Sequence, residues 1–161
     1  MQVSERQTYE AGPDRVWAML TDPAYREEVC TGTGAQSYEV NSDADDGGGT
    51  VRVSRVLPAP GHKAVRTLVG DTVTVEQTET WGAAEDDGTR RGELRLQVKG
   101  QPATMTGTCT LASDRSGSAL DIEAELKVRI PLIGGSLEKE LAAAITAGLA
   151  QEFQVGRRYL S

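Results

Sequence analysis

Aromatic rings are scarce in this sequence: one Phe, two Trp and four Tyr make up 4% of its 161 residues. An interior filled by Val, Leu, Ile and Ala leaves room for a guest molecule. Cysteine is nearly absent too. Cys30 and Cys109 stand far apart and outside any C-x-x-C spacing, so no disulfide framework is expected and a reduced, cytoplasmic setting is the natural reading. Basic residues are outnumbered, 17 Lys and Arg against 24 Asp and Glu, for a net charge of −7. With no Lys/Arg-rich stripe to offset that average field, a phosphate backbone would be repelled, which excludes nucleic acid as a partner. The same charge disfavours anionic lipid surfaces. No apolar run approaches the ~20 residues needed to cross a bilayer, so no stable membrane association is expected. The opening MQVSERQTYE lacks the apolar core of a signal peptide.

What is present is a plan for one domain over residues 1–161, a length that can bury roughly 70% of its unfolded surface without disulfides or metal. Residues 3–9 form a short strand. Gly12-Pro13 then opens a helix, with proline at the first helical position and Val16, Trp17 and Leu20 on its apolar face. Asp22-Pro23 repeats the start signal for a second short helix bearing Tyr25 and Val29. From Ala35 to Ile130 the pattern has period two, the mark of antiparallel strands with one dry and one wet face. Leu94, Leu96 and Val98 alternate with Glu93, Arg95, Gln97 and Lys99. Met105, Gly107, Cys109 and Leu111 alternate with four threonines. Leu120, Ile122, Ala124, Leu126, Val128 and Ile130 alternate with Asp121, Glu123, Glu125, Lys127 and Arg129. Turn signals at 45–49, 86–88 and 113–117 separate these strands. After Gly134-Gly135, Ser136 is placed to cap a long amphipathic helix reaching about Arg158, with Leu137, Leu141, Ala144, Ile145, Leu149 and Phe153 on its apolar stripe. The fold class is therefore α+β: a curved antiparallel sheet gripping one long C-terminal helix, with two short helices after the first strand.

Several stretches strengthen that plan. The block YEAGPDRVWAMLTDPAYREEV (9–29) resembles the opening of START-like proteins, the helix-grip superfamily of polyketide cyclases and Bet v-type proteins. IPLIGGSLEKELAAAITAGLAQEF (130–153) is similar to that superfamily's last strand entering its long helix. LVGDTVTVEQTETW (68–81) and VKGQPATMTGTCTL (98–111) are similar to an uncharacterised branch common in actinobacteria. The resemblance implies a cavity between sheet and long helix, entered near the loops and short helices. Fold does not decide function here, because the superfamily includes lipid carriers, cyclases, receptors and co-chaperones.

The strand 71–81 carries the most chemical information. Its dry face reads Val73, Val75, Gln77, Glu79 and Trp81, so two polar side chains point inward. Arg55 shares a side of its strand with Val51, Val53 and Leu57. A buried charge must be paired. One reading is an Arg55–Glu79 ion pair or a watered polar end; the other is that Arg55, Gln77 and Glu79 orient the head of an apolar ligand. Trp81, Met105, Ala124, Ile145 and Leu149 are the candidate apolar contacts in the implied cavity. Segment 58–70 is longer than a hairpin needs, and is either a gate over the cavity mouth or an ordinary packed connection. It holds the only histidine, His62, which has no carboxylate or nucleophile at an indicative spacing and reads as a loop residue. The acidic run 41–49 fails the calcium-loop register at Asp46 and Arg52. No metal-ligand cluster, nucleophile elbow or dinucleotide fingerprint appears, so no cofactor is expected. The expected function is binding or carriage of a small apolar or amphipathic molecule, lipid or polyketide-like. A cyclase or aromatase using the same cavity, and a co-chaperone-like module with a protein partner, stand as alternatives.

Overall fold

The period-two segments form seven strands, and the two proline-led starts become helices. The computed structural model describes residues 1–161. In chain order the elements are β1 (Gln2–Tyr9), α1 (Pro13–Thr21), α2 (Pro23–Gly32), β2 (Ser37–Ser42) and β3 (Gly49–Pro58). They continue with α3 (Lys63–Val69), β4 (Thr72–Trp81), β5 (Arg90–Val98), β6 (Ala103–Asp114), β7 (Gly117–Val128) and α4 (Gly134–Leu160). One antiparallel sheet runs in the order β1-β7-β6-β5-β4-β3-β2. From β2 to β7 each strand pairs with its sequence neighbour, and only β1 crosses over to lie beside β7.

The dry faces fall where alternation places them. Met105, Cys109 and Leu111 of β6 are buried while Thr106 and Thr108 face solvent. Leu120, Ile122, Ala124, Leu126 and Val128 of β7 are buried against exposed Glu123, Glu125 and Lys127. At Gly107 the two strands approach too closely for a side chain: a Cβ there would stand 2.1 Å from the Glu123 carbonyl oxygen.

Asp22 caps α2 as expected, accepting a hydrogen bond from the Ala24 N–H at 2.9 Å. Ser136 does not cap α4. The cap lies three residues earlier, at Ile133, whose side chain makes no cap bond, after Leu132 has turned the chain with φ of 71°. Glu138 folds back instead, accepting the Val128 N–H at 2.9 Å and lying 3.8 Å from the N-terminal ammonium. That carboxylate ties the first turns of α4 to β7 and β1.

At 27 residues α4 is about 40 Å long. Its C-terminal part is clamped: Val155 and Gly156 are buried, and a Cβ on Gly156 would meet Tyr9 at 3.1 Å and Met19 at 3.2 Å. Its middle is not. Leu141, Ile145 and Leu149 lie on the sheet side yet are only partly buried. An apolar stripe that faces a sheet without closing on it leaves a space between.

Candidate functional site: a cavity with one polar end

That space is a cavity of about 460 Å³, within the range of ordinary small-molecule sites. The sheet supplies Val75, Leu94, Leu96, Met105, Cys109, Leu120 and Ile122, and α4 supplies Leu141, Ile145, Gly148 and Leu149. Exposed lining residues mark its mouth: Pro58 at the end of β3, and Ala144, Ala147 and Gln151 along α4. A Cβ on Gly148 would meet nothing within 4 Å, so this glycine holds part of the cavity open.

Polar groups gather at one end. The pleat of β4 turns Gln77, Glu79 and Trp81 inward, and all three are buried. Arg26 reaches them from α2. Its Nε donates to the Leu20 carbonyl at 2.7 Å, at the end of α1. Its Nη1 and Nη2 donate to Glu79 Oε1 and Oε2 at 2.9 and 2.8 Å. Gln77 Nε2 donates to Oε1 at 2.7 Å and Trp81 Nε1 to Oε2 at 3.0 Å. Four donors on two oxygens leave Glu79 saturated. Burial alone would raise its pKa, but the Arg26 charge and the bonds from Arg26, Trp81 and Gln77 outweigh it and hold the carboxyl below the ordinary range. For Arg26, burial opposes the charge and Glu79 and Glu152 more than restore it. Glu79 is thus a fixed anion, unsuited to proton transfer.

Glu152 is its opposite. It comes from α4, lines the cavity, and its nearest charge partner is Arg26 Nη1 at 3.6 Å, beyond a good hydrogen bond. Burial raises its pKa, Glu79 adds to the rise, and Arg26, Arg55 and Tyr25 oppose it without prevailing. Arg55 lies on the other flank, donating from Nη2 to Gln77 Oε1 at 3.1 Å, with Nε buried and unpartnered.

A family described as "Protein of unknown function (DUF2505)" matches residues 4–160. The chain belongs to the DUF2505 family. Uncharacterized protein Rv0481c of Mycobacterium tuberculosis (strain ATCC 25618 / H37Rv) is 27% identical over 116 residues, 69% of this chain and 66% of that protein. A Mycobacterium bovis relative, Uncharacterized protein Mb0491c, matches to the same extent. The aligned part of this chain spans 66% of the length of these relatives. Among solved structures, the Zhui aromatase/cyclase from Streptomyces sp. R1128 superposes with a TM-score of 0.66 at 12% identity, covering 99% of this chain and 92% of that one. TTHA0849 from Thermus thermophilus gives 0.64 at 16% identity, over 98% and 95%. Ara h 8.0201 gives 0.57 at 14%, over 99% and 96%. At these identities the likeness is one of fold: this chain has the helix-grip architecture of those structures.

In this DUF2505 chain Arg55, Gln77, Glu79, Trp81, Met105, Ile145 and Leu149 all line the cavity. Ala124 does not. It is buried in the packed sheet face, paired with Val3 of β1 and Gly107 of β6, so a larger residue there would overpack the core rather than plug the cavity. The Arg55–Glu79 pair does not form either. In the β3–β4 register Arg55 stands opposite Val75 and Glu79 opposite Val51, which leaves Gln77 as the diagonal neighbour of Arg55. His62 is 86% exposed, 3.7 Å from Glu140, and outside the cavity lining. Segment 58–70 contains α3; Pro58, Ala59 and Pro60 line the cavity, while Val65 and Val69 of α3 face a smaller space of about 60 Å³ beside it. Cys109 lines the cavity, and burial raises its thiol well above the ordinary range, which suits a core residue rather than a nucleophile.

Sequence reasoning missed Arg26 and Glu152. Both carried a signal. Arg26 falls inside the α2 stripe of Tyr25, Val29 and Cys30, all buried. Glu152 is seven residues from Ile145 and three from Leu149, on the apolar face of α4.

Proposed function

We propose that this protein binds, and passes on, a small apolar or amphipathic molecule held between the sheet and α4. The observation that supports this is the cavity itself: an apolar chamber of about 460 Å³, kept open by a bare glycine and provided with polar groups at one end only. Apolar walls with a few convergent polar side chains are what a carrier or receptor needs to hold a ligand in one orientation. The class of molecule is lipid or polyketide-like, and the protein works as one cytoplasmic domain. The stretch from Pro58 through α3, beside the mouth, is the proposed gate.

Native mass spectrometry of the purified protein, followed by denaturation and identification of any released molecule, tests the reading. A retained or extract-acquired lipid or polyketide-like compound is the expected result. A clean apo mass that stays unchanged after incubation with mixed lipid and metabolite extracts would overturn it.

One observation favours a second reading, an enzyme of the cyclase or aromatase kind: Glu152 is a cavity-facing carboxyl with raised proton affinity and no strong partner, the properties of a general acid or base. On that reading Glu152→Gln abolishes turnover of the identified ligand, whereas a carrier only changes its affinity.

A further inference from the structure

The polar end of the cavity has hydrogen-bonding capacity that the protein itself leaves unused. Arg26 and Glu79 satisfy and neutralise each other. Arg55, by contrast, spends one donor on Gln77 and keeps its Nε buried without a partner. The Tyr25 hydroxyl, on a fully buried side chain, makes no hydrogen bond of good geometry, yet it lies close enough to the Glu152 carboxyl to favour its ionised form. Besides Tyr25, Glu152 has the 3.6 Å approach of Arg26. Two cavity-lining groups of opposite charge, Arg55 and Glu152, are therefore incompletely paired.

Their charges set what can dock. With Glu152 ionised, the two arginines balance the two carboxylates. With Glu152 protonated, the end carries one net positive charge, on Arg55, facing an apolar chamber. A partly buried guanidinium with free donors is best compensated by an anion that accepts them directly. Such an anion beside an ionised Glu152 would set two carboxylates in one low-dielectric site, where one must take a proton.

We propose that the cavity selects apolar molecules with a carboxylate head that docks on Arg55, and that Glu152 takes up one proton as that head arrives. The proton comes from solvent and stays on Glu152, so ionised protein, carboxylate and one proton give a neutral Glu152 beside the bound anion. This rests on the cavity being a ligand site, as proposed above, and names the class of ligand.

The groups that act with Glu152 are Tyr25, Arg26 and Cys30 of α2, Arg55 of β3, Glu79 of β4, Tyr9 of β1 and Cys109 of β6. Arg26 keeps its charge. Glu79 is held low, while both tyrosines and both cysteines are pushed up. That leaves Glu152, the one carboxyl of this set held above its ordinary value, as the group whose protonation a bound anion can change.

Matched probes separate head from body. Decanoic acid and 1-decanol share a chain, and 2-naphthoic acid and 2-naphthylmethanol share a ring system. Titration calorimetry on the full chain, in two buffers of different ionisation enthalpy between pH 6 and 8.5, should show each acid binding about tenfold or more tighter than its alcohol. One proton should enter per acid bound above the Glu152 pKa, with affinity falling by up to about tenfold per pH unit as pH rises. Arg55→Gln should abolish the preference for acids, and Arg55→Lys should retain part of it. Glu152→Gln should bind the acids with no proton uptake and a flat pH profile. Equal affinity for acid and alcohol, or acid binding without proton uptake in the wild type, would overturn the inference and leave the cavity reading standing. If neither pair binds and the protein also retains nothing from mixed extracts, the cavity reading falls with it.

Discussion

Replacing Glu79 with glutamine should cost this protein much of its stability, although the substitution removes no volume. Arg26 and Glu79 are 3% and 6% exposed, and their bidentate contact is supported by Gln77, Trp81 and the Leu20 carbonyl. Removing one member of such a pair leaves the other charged in a site water does not reach, at a typical loss of about 3–5 kcal/mol. The new side-chain amide would also turn a donor toward a ring of donors. Set against a total of about 5–15 kcal/mol for a domain, that is enough to shift a urea midpoint strongly. The double variant Arg26→Met/Glu79→Met removes both charges and should recover part of the loss, giving a coupling energy of about 2–3 kcal/mol in a double-mutant cycle with the two single methionine variants. Urea titrations at pH 7 on the four proteins of that cycle measure it. The pH dependence supplies a second check. A carboxyl whose folded pKa is depressed contributes stability that is present above its unfolded value, about 4.3, and is lost as pH falls through the folded one. The gap between wild type and Glu79→Gln should therefore close in acid. A Glu79→Gln loss under about 1 kcal/mol at pH 7, smaller than any buried pair of this geometry predicts, would refute the account of Arg26 and Glu79 as an obligate pair.

Two further outcomes follow from the same site. Glu152 has a raised folded pKa, so its contribution has the opposite sign: stability is full below the unfolded carboxylate value and declines as pH rises through the folded one. Glu152→Gln should accordingly melt above the wild type at pH 7–8, with the difference vanishing near pH 4; thermal melts showing a pH-independent difference would contradict this. At Gly148, where a Cβ meets open space, alanine should gain about 0.5–1 kcal/mol from helix propensity, and leucine should keep the fold while blocking uptake of whatever the wild type retains in native mass spectra. Normal uptake by Gly148→Leu would move the binding site elsewhere.

The architecture was largely legible in the residues. Period two placed β5, β6 and β7 and their dry faces, proline after glycine or aspartate placed α1 and α2, and the three-and-four spacing of Leu137 to Phe153 placed α4. Even the inward turn of Gln77 and Glu79 could be read from β4 alone, because alternate side chains of a strand point to opposite faces. The start of α4 could not: Ser136 carries a cap signal, but the turn at Leu132 begins the helix before it.

Partners across space were a different matter. Sequence alone determined that Glu79 would be buried and would require a cation, since burial of a carboxylate without one is prohibitive. It offered Arg55 because that residue sits on a neighbouring strand. Tertiary structure decided for Arg26, because the β3–β4 register holds Arg55 four residue pairs away from Val51, the residue opposite Glu79, while the docking of α2 brings a guanidinium directly onto that carboxylate. It also decided that Ala124 packs in the core and that Glu152 enters the cavity. Periodicity specifies the face on which a side chain lies, but which faces meet, and at what offset along each element, is set only when helices and sheet pack together.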